Sequence, residues 1–244
     1  EMMYQTCGTQ INLDYTSEKD FIKKFKLSSF LVPLSSAIFA NSPIKEKKLN
    51  GYLSYRSFVW QNTARGGLPI FFLEDMNFEK YVDFAINMPL LFLFKNGNYL
   101  SPEGKTFKDF MEGKLSIVDN EQAKIKDFET HLATIFSEIR LKKYIEIRSL
   151  DTCEWDCHCS GPAFYTGLIY GNLDESLEII NKWKISEVIN AYSEVPAKGL
   201  SSTIQNKTLL EWGKIFLNLA KKGLEKRSIA NSTGKNETIF LRSI

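Results

Sequence analysis

The stretch Leu141-Lys142-Lys143-Tyr144-Ile145-Glu146-Ile147-Arg148 alternates between apolar and polar residues with a period of two. This alternation predicts a β-strand with one face in the core, because successive side chains of a strand point to opposite sides. Glu146 and Arg148 then share the polar face, about 7 Å apart. We therefore expect an acid and a guanidinium side by side on one face of a sheet.

Residues 3–15 show the same period of two. Ile11 and Leu13 fall on one face, whereas Thr6, Gln10 and Asn12 fall on the other. Two polar strand faces have two interpretations, a face in contact with water or the floor of a binding site. In the second, a carboxylate beside a guanidinium can hold a divalent metal and a phosphate, and amide oxygens can complete a Mg²⁺ shell. The spacing alone leaves both open.

The remaining periodicity is mainly helical. Ser17 and Asp20 have the spacing of a helix start before Phe21, and Asn96-Gly97 predicts a tight hairpin turn. The predicted helices are Phe78–Ala85, Thr106–Met111, Gln122–Phe136, Pro162–Tyr170, Asp174–Lys182 and Leu209–Arg227. Strands separated by helices and one hairpin favour an α+β fold with a mainly antiparallel sheet. No linker stands out, so we expect one domain over residues 1–244.

Composition excludes several classes of protein. A hydrophobic fraction of 43% in 244 residues is too high for a disordered chain. A net charge of +2 gives no support for nucleic-acid binding. The longest apolar run, Met88–Phe94, is far shorter than the roughly 18 residues of a membrane span, so no membrane partner is expected. The chain begins at Glu1 and almost at once enters a strand pattern, so we expect a fragment or a processed piece.

Cysteine and histidine offer little catalytic chemistry. Cys153, Cys157, His158 and Cys159 are zinc-ligand types, but their spacing does not match a CxxC knuckle and no second cluster completes a tetrahedron. We therefore expect reduced cytosolic thiols. His131 is the other histidine, so acid–base catalysis by histidine has few candidates.

Arg56 is a single cation in the aromatic segment Leu53–Trp60. Such an arginine can stack on an aromatic ring or extend along the surface to reach water. It can also bind a substrate carboxylate through two parallel hydrogen bonds. The segment alone leaves these alternatives open.

Several segments, in order along nearly the whole chain, resemble the plant and proteobacterial glutamate–cysteine ligases. The most specific is Arg140–Arg148 with the preceding His131–Phe136. The others include Tyr4–Tyr15, Ala40–Pro43, Asn50–Ser57 with Trp60, Tyr81–Ala85, Gly113–Leu115, Gly167–Tyr170 and Ala220–Leu224.

This resemblance implies a glutamine-synthetase-like fold, in which a curved, mainly antiparallel sheet with flanking helices forms the floor of the active site. It implies ATP-dependent ligation of the γ-carboxylate of L-glutamate to L-cysteine through γ-glutamyl phosphate, the first step of glutathione biosynthesis. ATP is the co-substrate and Mg²⁺, or Mn²⁺, the metal. Little acid–base machinery is needed, which agrees with the scarcity of histidine.

The resemblance also implies residue roles. Glu146 and Arg148 are the expected catalytic pair, Glu146 as a metal ligand and Arg148 on the transferring phosphate. Gln10 is expected as a second metal ligand, and Arg65 as a contact to substrate or nucleotide. The expected glutamate pocket consists of Arg56, which binds the α-carboxylate, with Trp60, Thr6, Asn12 and Tyr81.

The sequence also departs from the family. The family's N-terminal half, with further acidic metal ligands, is absent, so we expect a C-terminal portion that is inactive unless the missing half is supplied. Ile117 stands where plant members have a cysteine, and only Cys159 matches its partner, so their regulatory disulfide is not expected.

Two alternatives stay open, a related ligase with another amine acceptor and a non-catalytic glutamate-binding fragment. The expected compartment is the cytosol of a bacterium, or the plastid stroma if the protein comes from a plant.

Overall fold

The computed structural model describes residues 2–118 and 121–244, and in them helices are mixed with short strands. The helices are α1 Met2–Gln5, α2 Glu18–Phe30, α3 Val32–Ile38, α4 Tyr55–Gln61, α5 Phe78–Asn87, α6 Phe107–Met111, α7 Ile125–Ala133, α8 Ser160–Thr166, α9 Leu173–Ile180, α10 Ile185–Lys198 and α11 Leu209–Arg227. The strands are β1 Gly8–Leu13, β2 Ile44–Lys45, β3 Lys48–Leu49, β4 Gly66–Gly67, β5 Leu93–Lys95, β6 Asn98–Leu100, β7 Phe136–Ser137, β8 Ile139–Leu141, β9 Ile145–Asp151, β10 Thr203–Ile204 and β11 Lys207–Thr208.

The largest sheet has the strand order β1-β9-β8, and both of its pairings are antiparallel. The predicted α+β class with a mainly antiparallel sheet is confirmed at this level, although β4 and β7 pair in parallel. In the sheet register, Glu146 on the central strand lies opposite Asn12 of β1 and Arg140 of β8. Three polar side chains therefore stand in one row across the sheet.

The prediction of one continuous strand over Leu141–Arg148 is wrong for the first part of this range. A turn over residues 142–144, closed by a hydrogen bond from Lys142 N to Tyr144 O (2.8 Å), separates β8 from β9. The alternation continues across this turn, so the pattern looked like one strand. Glu146 and Arg148 still share a face, as predicted, since both lie on β9.

The strand predicted over residues 3–15 is also too long. Residues 2–5 form a helical turn, and the hydroxyl of Thr6 donates to the carbonyl of Met2 (2.6 Å). The strand β1 begins only at Gly8, and there the predicted alternation holds, with Ile11 and Leu13 buried and Gln10 and Asn12 exposed.

Helix α4 places Arg56, and the aromatic segment that contains it carried no prediction of helix. Ser54 caps α4 by accepting a hydrogen bond from Ser57 N (3.0 Å). The Ser54 hydroxyl also donates to Oδ1 of Asp151 (2.8 Å), the last residue of β9. The other carboxylate oxygen of Asp151 accepts from Ser42, whose hydroxyl in turn accepts from Arg56 N. The start of α4 is thus fixed to the end of the central strand.

The main core lies behind the central sheet. The central sheet contributes Ile11, Leu13, Ile139, Ile145, Ile147 and Leu150 to it. Helices α2, α3, α8, α10 and α11 supply most of the other buried apolar side chains. A second, smaller cluster lies under the β5–β6 hairpin and contains Leu90, Leu93, Phe107, Phe110 and Leu115. The polar face of the sheet is left on the side away from the main core.

Most of the other predicted elements are confirmed. Helix α2 begins after Ser17, which accepts a hydrogen bond from Asp20 N, and α11 has the predicted bounds. Asn96 and Gly97 both have positive φ in the β5–β6 turn, as the hairpin prediction requires. Helix α7 ends at Ala133 instead of Phe136, and α10 was not predicted.

The expectation of reduced thiols is wrong for one pair of cysteines. Cys153 and Cys157 form a disulfide, because a short 3₁₀ turn over Trp155–Cys157 brings their Cα atoms to 6.1 Å. Cys7 and Cys159 are free and exposed. Within residues 2–118 and 121–244, no group of three or more His, Cys, Asp or Glu residues could hold a metal ion.

In the same described ranges, no helix combines the length and the apolar character needed to cross a bilayer.

We predict that Ser54→Ala lowers the free energy of unfolding by about 2–3 kcal/mol, because it removes a helix cap and also leaves a buried carboxylate oxygen of Asp151 without its donor. Ser17→Ala is the matched control, since this exposed cap has no buried carboxylate behind it, and about 1 kcal/mol is expected. Urea unfolding of both variants measures the difference. Equal losses would show that the Asp151 contact adds nothing.

Candidate functional site

A hollow of about 470 Å³ lies over the polar face of the central sheet. It brings together seven of the nine predicted site residues, namely Thr6, Gln10, Asn12, Arg56, Trp60, Glu146 and Arg148. Its other lining residues are Met2, Gly8, Ala133, Phe136, Arg140, Lys142 and Tyr144. The site therefore draws on β1, β7, β8, β9, the β8–β9 turn and helices α1, α4 and α7.

Glu146 is the centre of the charged network in this hollow and is only 2% exposed. Its Oε2 accepts from Arg140 Nε (2.6 Å) and its Oε1 from Arg148 Nη1 (3.1 Å), while Lys142 Nζ lies 3.5 Å from Oε2. Burial acts to raise the pKa of Glu146, but the hydrogen bond and charge of Arg140 and the charges of Arg148 and Lys142 outweigh it, so the pKa is lowered. Glu146 is therefore an ionised carboxylate in a cationic setting.

Gln10 connects the two members of the predicted catalytic pair. With its amide oriented to satisfy both neighbours, its nitrogen donates to Glu146 Oε1 (2.5 Å) and its oxygen accepts from Arg148 Nη1 (2.9 Å). The amide thus contacts both members of a pair that is also joined by a direct hydrogen bond. In this orientation its oxygen is already used by a cationic donor.

The described residues do not fit a divalent cation. Both oxygens of Glu146 accept from arginine, and Glu146 is the one carboxylate among the lining residues that the structure describes. Mg²⁺ and Mn²⁺ need several free oxygen ligands. Four cations (Arg56, Arg140, Lys142 and Arg148) line the same hollow, so its chemistry fits an anion.

Arg56 is buried beside Trp60 and does not extend to the surface. Its Nη2 donates to the carbonyl of Arg148, and its Cζ lies 5.3 Å from the centre of the Trp60 ring. Arg148 Cζ lies 5.2 Å from the same ring. One indole thus contacts two guanidinium groups, which helps to hold two like charges near each other.

Three buried donors of the hollow's residues lack a hydrogen-bond partner in the described part of the chain. They are Arg56 Nη1, Arg148 Nε and Trp60 Nε1. A buried donor without a partner costs free energy, and a bound anion would supply one. Two of these donors belong to cations of the hollow, so the anionic character of the ligand rests mainly on the charge of the lining.

Gly8 allows Arg56 to lie against β1. A Cβ added at Gly8 would stand 2.6 Å from Arg56 Nε and 2.8 Å from the carbonyl oxygen of Leu150. Neither distance is possible for a real side chain, so any other residue here would displace the arginine or the strand.

Arg65 and Tyr81, also predicted as site residues, do not line the hollow. Arg65 donates from Nε and Nη2 to the carbonyl and hydroxyl of Thr134 (2.8 and 2.7 Å) and from Nη1 to the carbonyl of Pro89. Tyr81 is buried beside Phe72 and Phe84, and burial raises the pKa of its hydroxyl to about 12. Their proposed roles stay predictions.

Three charged residues at or beside the hollow, Arg140, Lys142 and Glu138, have no predicted role. Arg140 holds Glu146 and also donates to the carbonyls of Ala133 and Ile135 (both 3.0 Å). Glu138 is fully buried and its Oε2 lies 3.8 Å from Arg56 Nη2. Arg140 could be found only from its position opposite Glu146 in the sheet, and that position depends on the β8–β9 turn. Nothing in the sequence distinguishes Glu138 from an acidic residue at the surface.

We predict that Glu146→Gln destabilises the fold by about 2–4 kcal/mol at neutral pH, because it leaves buried arginine charges without their carboxylate. The lowered pKa means that Glu146 contributes its stability above its ordinary value of 4.5, and that this contribution is lost as pH falls through the folded-state pKa. The unfolding free energies of Glu146→Gln and the unchanged protein should therefore become more similar below about pH 4.5. Unfolding free energies from about pH 3 to 7 test this.

The matched control is Glu194→Gln, which removes an exposed carboxylate paired with Lys198 at 2.8 Å. It should change stability by less than about 0.5 kcal/mol at any of these pH values. A Glu146→Gln difference that stays constant with pH would contradict the assigned ionisation.

The chain is similar to known proteins over its whole length. The model of glutamate–cysteine ligase family 2 matches residues 1–244. The chain is 41% identical over 251 residues to glutamate–cysteine ligase B, chloroplastic, of Oryza sativa subsp. japonica, covering 100% of this chain and 49% of that protein. It is 40% identical to the chloroplastic enzyme of Solanum lycopersicum (100% and 46%) and 39% identical to that of Arabidopsis thaliana (100% and 47%).

The chain spans about half the length of the curated relatives that it matches. The family match itself extends over the whole chain, including every lining residue of the hollow. The chain belongs to glutamate–cysteine ligase family 2.

Proposed function

We propose that the protein containing this chain joins the γ-carboxylate of L-glutamate to the amine of L-cysteine at the expense of ATP, the first step of glutathione biosynthesis. One observation carries the proposal: four cations, two of which have a buried donor without a partner in the described residues, line one hollow in a chain of this family. Both substrates of the activation step, ATP and glutamate, are anions that such a hollow fits. We also propose a glutamine-synthetase-like fold, which the antiparallel sheet below the hollow supports.

The reaction needs the γ-carboxylate to be activated first. A carboxylate oxygen of glutamate attacks the γ-phosphorus of ATP, the bond to ADP breaks, and γ-glutamyl phosphate forms. The cysteine nitrogen then attacks the acyl carbon, the carbon–oxygen bond breaks, inorganic phosphate leaves, and the nitrogen loses a proton to solvent. Charge on the phosphoryl group is the main difficulty, and positioned cations stabilise it.

Arg148 is the proposed contact to the transferring phosphoryl group. It is held by Glu146 and Gln10 through Nη1, which leaves Nε without a partner in the described chain. Arg140 and Lys142 add positive charge on the same side of the sheet. The geometry is set before substrate binds, so little reorganisation is needed during the transfer.

Arg56 is the proposed contact to the α-carboxylate of glutamate. Its Nη2 is used by the Arg148 carbonyl, whereas its Nη1 has no partner among the described residues. Trp60 Nε1 is a second free donor beside it. Thr6 and Asn12 line the same hollow and are proposed pocket residues. Tyr81 stays a predicted pocket residue, although it does not line the hollow.

The metal that the family resemblance implies has no complete set of ligands in the described residues. Glu146 and Gln10 stay predicted ligands, but each would have to exchange an arginine contact for the metal. We propose that the remaining ligands come from the part of the protein outside this chain, since its relatives are about twice as long.

The proposed compartment is the plastid stroma, because the relatives are named as chloroplastic enzymes. The bacterial cytosol stays the alternative expected from the sequence.

The test uses the full-length protein with glutamate, cysteine and ATP, and follows γ-glutamylcysteine and ADP together. We predict that Arg56→Lys raises the KM for glutamate about tenfold or more, because lysine cannot reproduce the paired donors of a guanidinium. The KM for ATP should change less than about twofold. The matched control is Arg242→Lys, an exposed arginine outside the hollow, which should leave both constants unchanged.

Three results would contradict the proposal. Faster turnover with another amine than with cysteine would favour a related ligase. Glutamate binding in calorimetry without ADP formation would favour a binding module. An Arg56→Lys variant with an unchanged KM for glutamate would remove Arg56 from the pocket.

A further inference from the structure

We propose that Glu138, supported by Tyr192, is a positioning residue that sets the orientation of the Arg56 guanidinium for the substrate carboxylate. The inference rests on the proposed function, because it assigns a support to the arginine that binds glutamate. Glu138 does not line the hollow and cannot touch the substrate directly. It acts through Arg56.

Because Glu138 is buried, its carboxylate needs a partner. Its side chain is 0% exposed, and an ionised carboxylate in such a place is stable only when paired or hydrogen-bonded. Its Oε2 lies 3.8 Å from Arg56 Nη2, and its Oε1 accepts from the hydroxyl of Tyr192 (3.0 Å). Oε1 therefore has a neutral donor, whereas Oε2 has no hydrogen-bond partner among the described residues and is neighboured by the charge of Arg56.

The backbone of Glu138 is fixed at both of its polar groups. Its N–H donates to the carbonyl of Gly67 and its carbonyl accepts from the N–H of Arg148, both at 2.8 Å. The residue thus bridges β4 and β9 just before β8. The backbone position of Glu138 is therefore fixed, and the hydroxyl of Tyr192 holds the carboxylate itself.

Tyr192 connects this support to the helix that carries Arg56. Its hydroxyl donates to Glu138, and its backbone carbonyl accepts from Gln61 Nε2 (2.6 Å) at the end of α4. Burial, with the nearby charge of Glu138, raises the pKa of Tyr192 well above its ordinary value, so the hydroxyl stays a donor at physiological pH. One tyrosine of α10 thereby holds both the carboxylate and the helix.

The consequence concerns which nitrogen of Arg56 is left for a ligand. Glu138 and the Arg148 carbonyl both neighbour Nη2, whereas Nη1 has no partner in the described chain. A guanidinium held through one terminal nitrogen presents the other in a fixed direction. We expect this orientation to set the affinity for the α-carboxylate.

Glu138 could affect the KM for glutamate in two ways that predict opposite changes, which makes the inference testable. If Glu138 only reduced the positive charge of the hollow, Glu138→Gln would strengthen anion binding and lower the KM for glutamate. If Glu138 positions Arg56, the same change lets the guanidinium turn away, and the KM rises. Glutamine keeps the size of the side chain and can still accept from Tyr192.

The experiment measures kcat and both KM values in the full-length protein. Glu138→Gln should raise the KM for glutamate about tenfold while the KM for ATP stays within about twofold. Tyr192→Phe should raise the KM for glutamate about two- to fivefold, because the carboxylate remains but loses one donor. The KM for glutamate of Glu138→Asp should lie between the values of Glu138→Gln and the unchanged protein, since aspartate restores the charge at a longer distance from Arg56.

The matched control is Tyr165→Phe, which removes another fully buried tyrosine hydroxyl in the main core, outside the hollow. It should leave both KM values unchanged. Thermal melting identifies variants that do not fold. If Glu138→Gln is among them, the KM for glutamate of the milder variant Tyr192→Phe tests the positioning role instead.

The contradicting results are distinct. A folded Glu138→Gln variant whose KM for glutamate is unchanged or lower overturns the positioning role and leaves the proposed function intact. Equal increases in both KM values also overturn it, because they indicate general damage to the site. An unchanged protein that forms no γ-glutamylcysteine overturns the proposed function, and this inference with it.

Discussion

The carboxylate of Glu146, held between Arg140 and Arg148 on the central strand, is the interaction on which the site depends. Its two oxygens accept from the two arginines at 2.6 and 3.1 Å, and the group is almost completely buried. A buried acid is costly unless it is paired, and so is a buried arginine. Together they place positive charge on a sheet face at fixed positions, and the antiparallel register of β8 and β9 sets those positions.

The site contains more positive charge than this one carboxylate neutralises, and the surrounding residues reduce the repulsion. Trp60 contacts the guanidinium groups of both Arg56 and Arg148. Gln10 bridges Glu146 and Arg148, and Glu138 lies behind Arg56. What remains is an excess of cationic donors toward one hollow, which explains why the described residues suit carboxylate and phosphate ligands and do not hold a metal by themselves.

The sequence predicts the part of this site that depends on short-range periodicity. Glu146 and Arg148 share a face because a strand repeats every two residues, and this holds although the predicted strand crosses a turn. The partner Arg140 depends on the register of a hairpin whose turn has no glycine, asparagine or proline, so no turn signal was visible. The role of Glu138 depends on long-range contacts that no local pattern contains. The Cys153–Cys157 disulfide is local, but the spacing of the two cysteines does not reveal the turn that brings them together.

The most direct measurement is a crystal structure of the full-length protein with glutamate bound. The predicted result is the α-carboxylate of glutamate in the hollow, with an oxygen about 3 Å from Arg56 Nη1, and Glu146 still between Arg140 and Arg148. Glutamate bound elsewhere, or Arg56 turned away from the hollow with Glu146 released from both arginines, would contradict the central claim that a preformed cationic sheet face recognises the substrate.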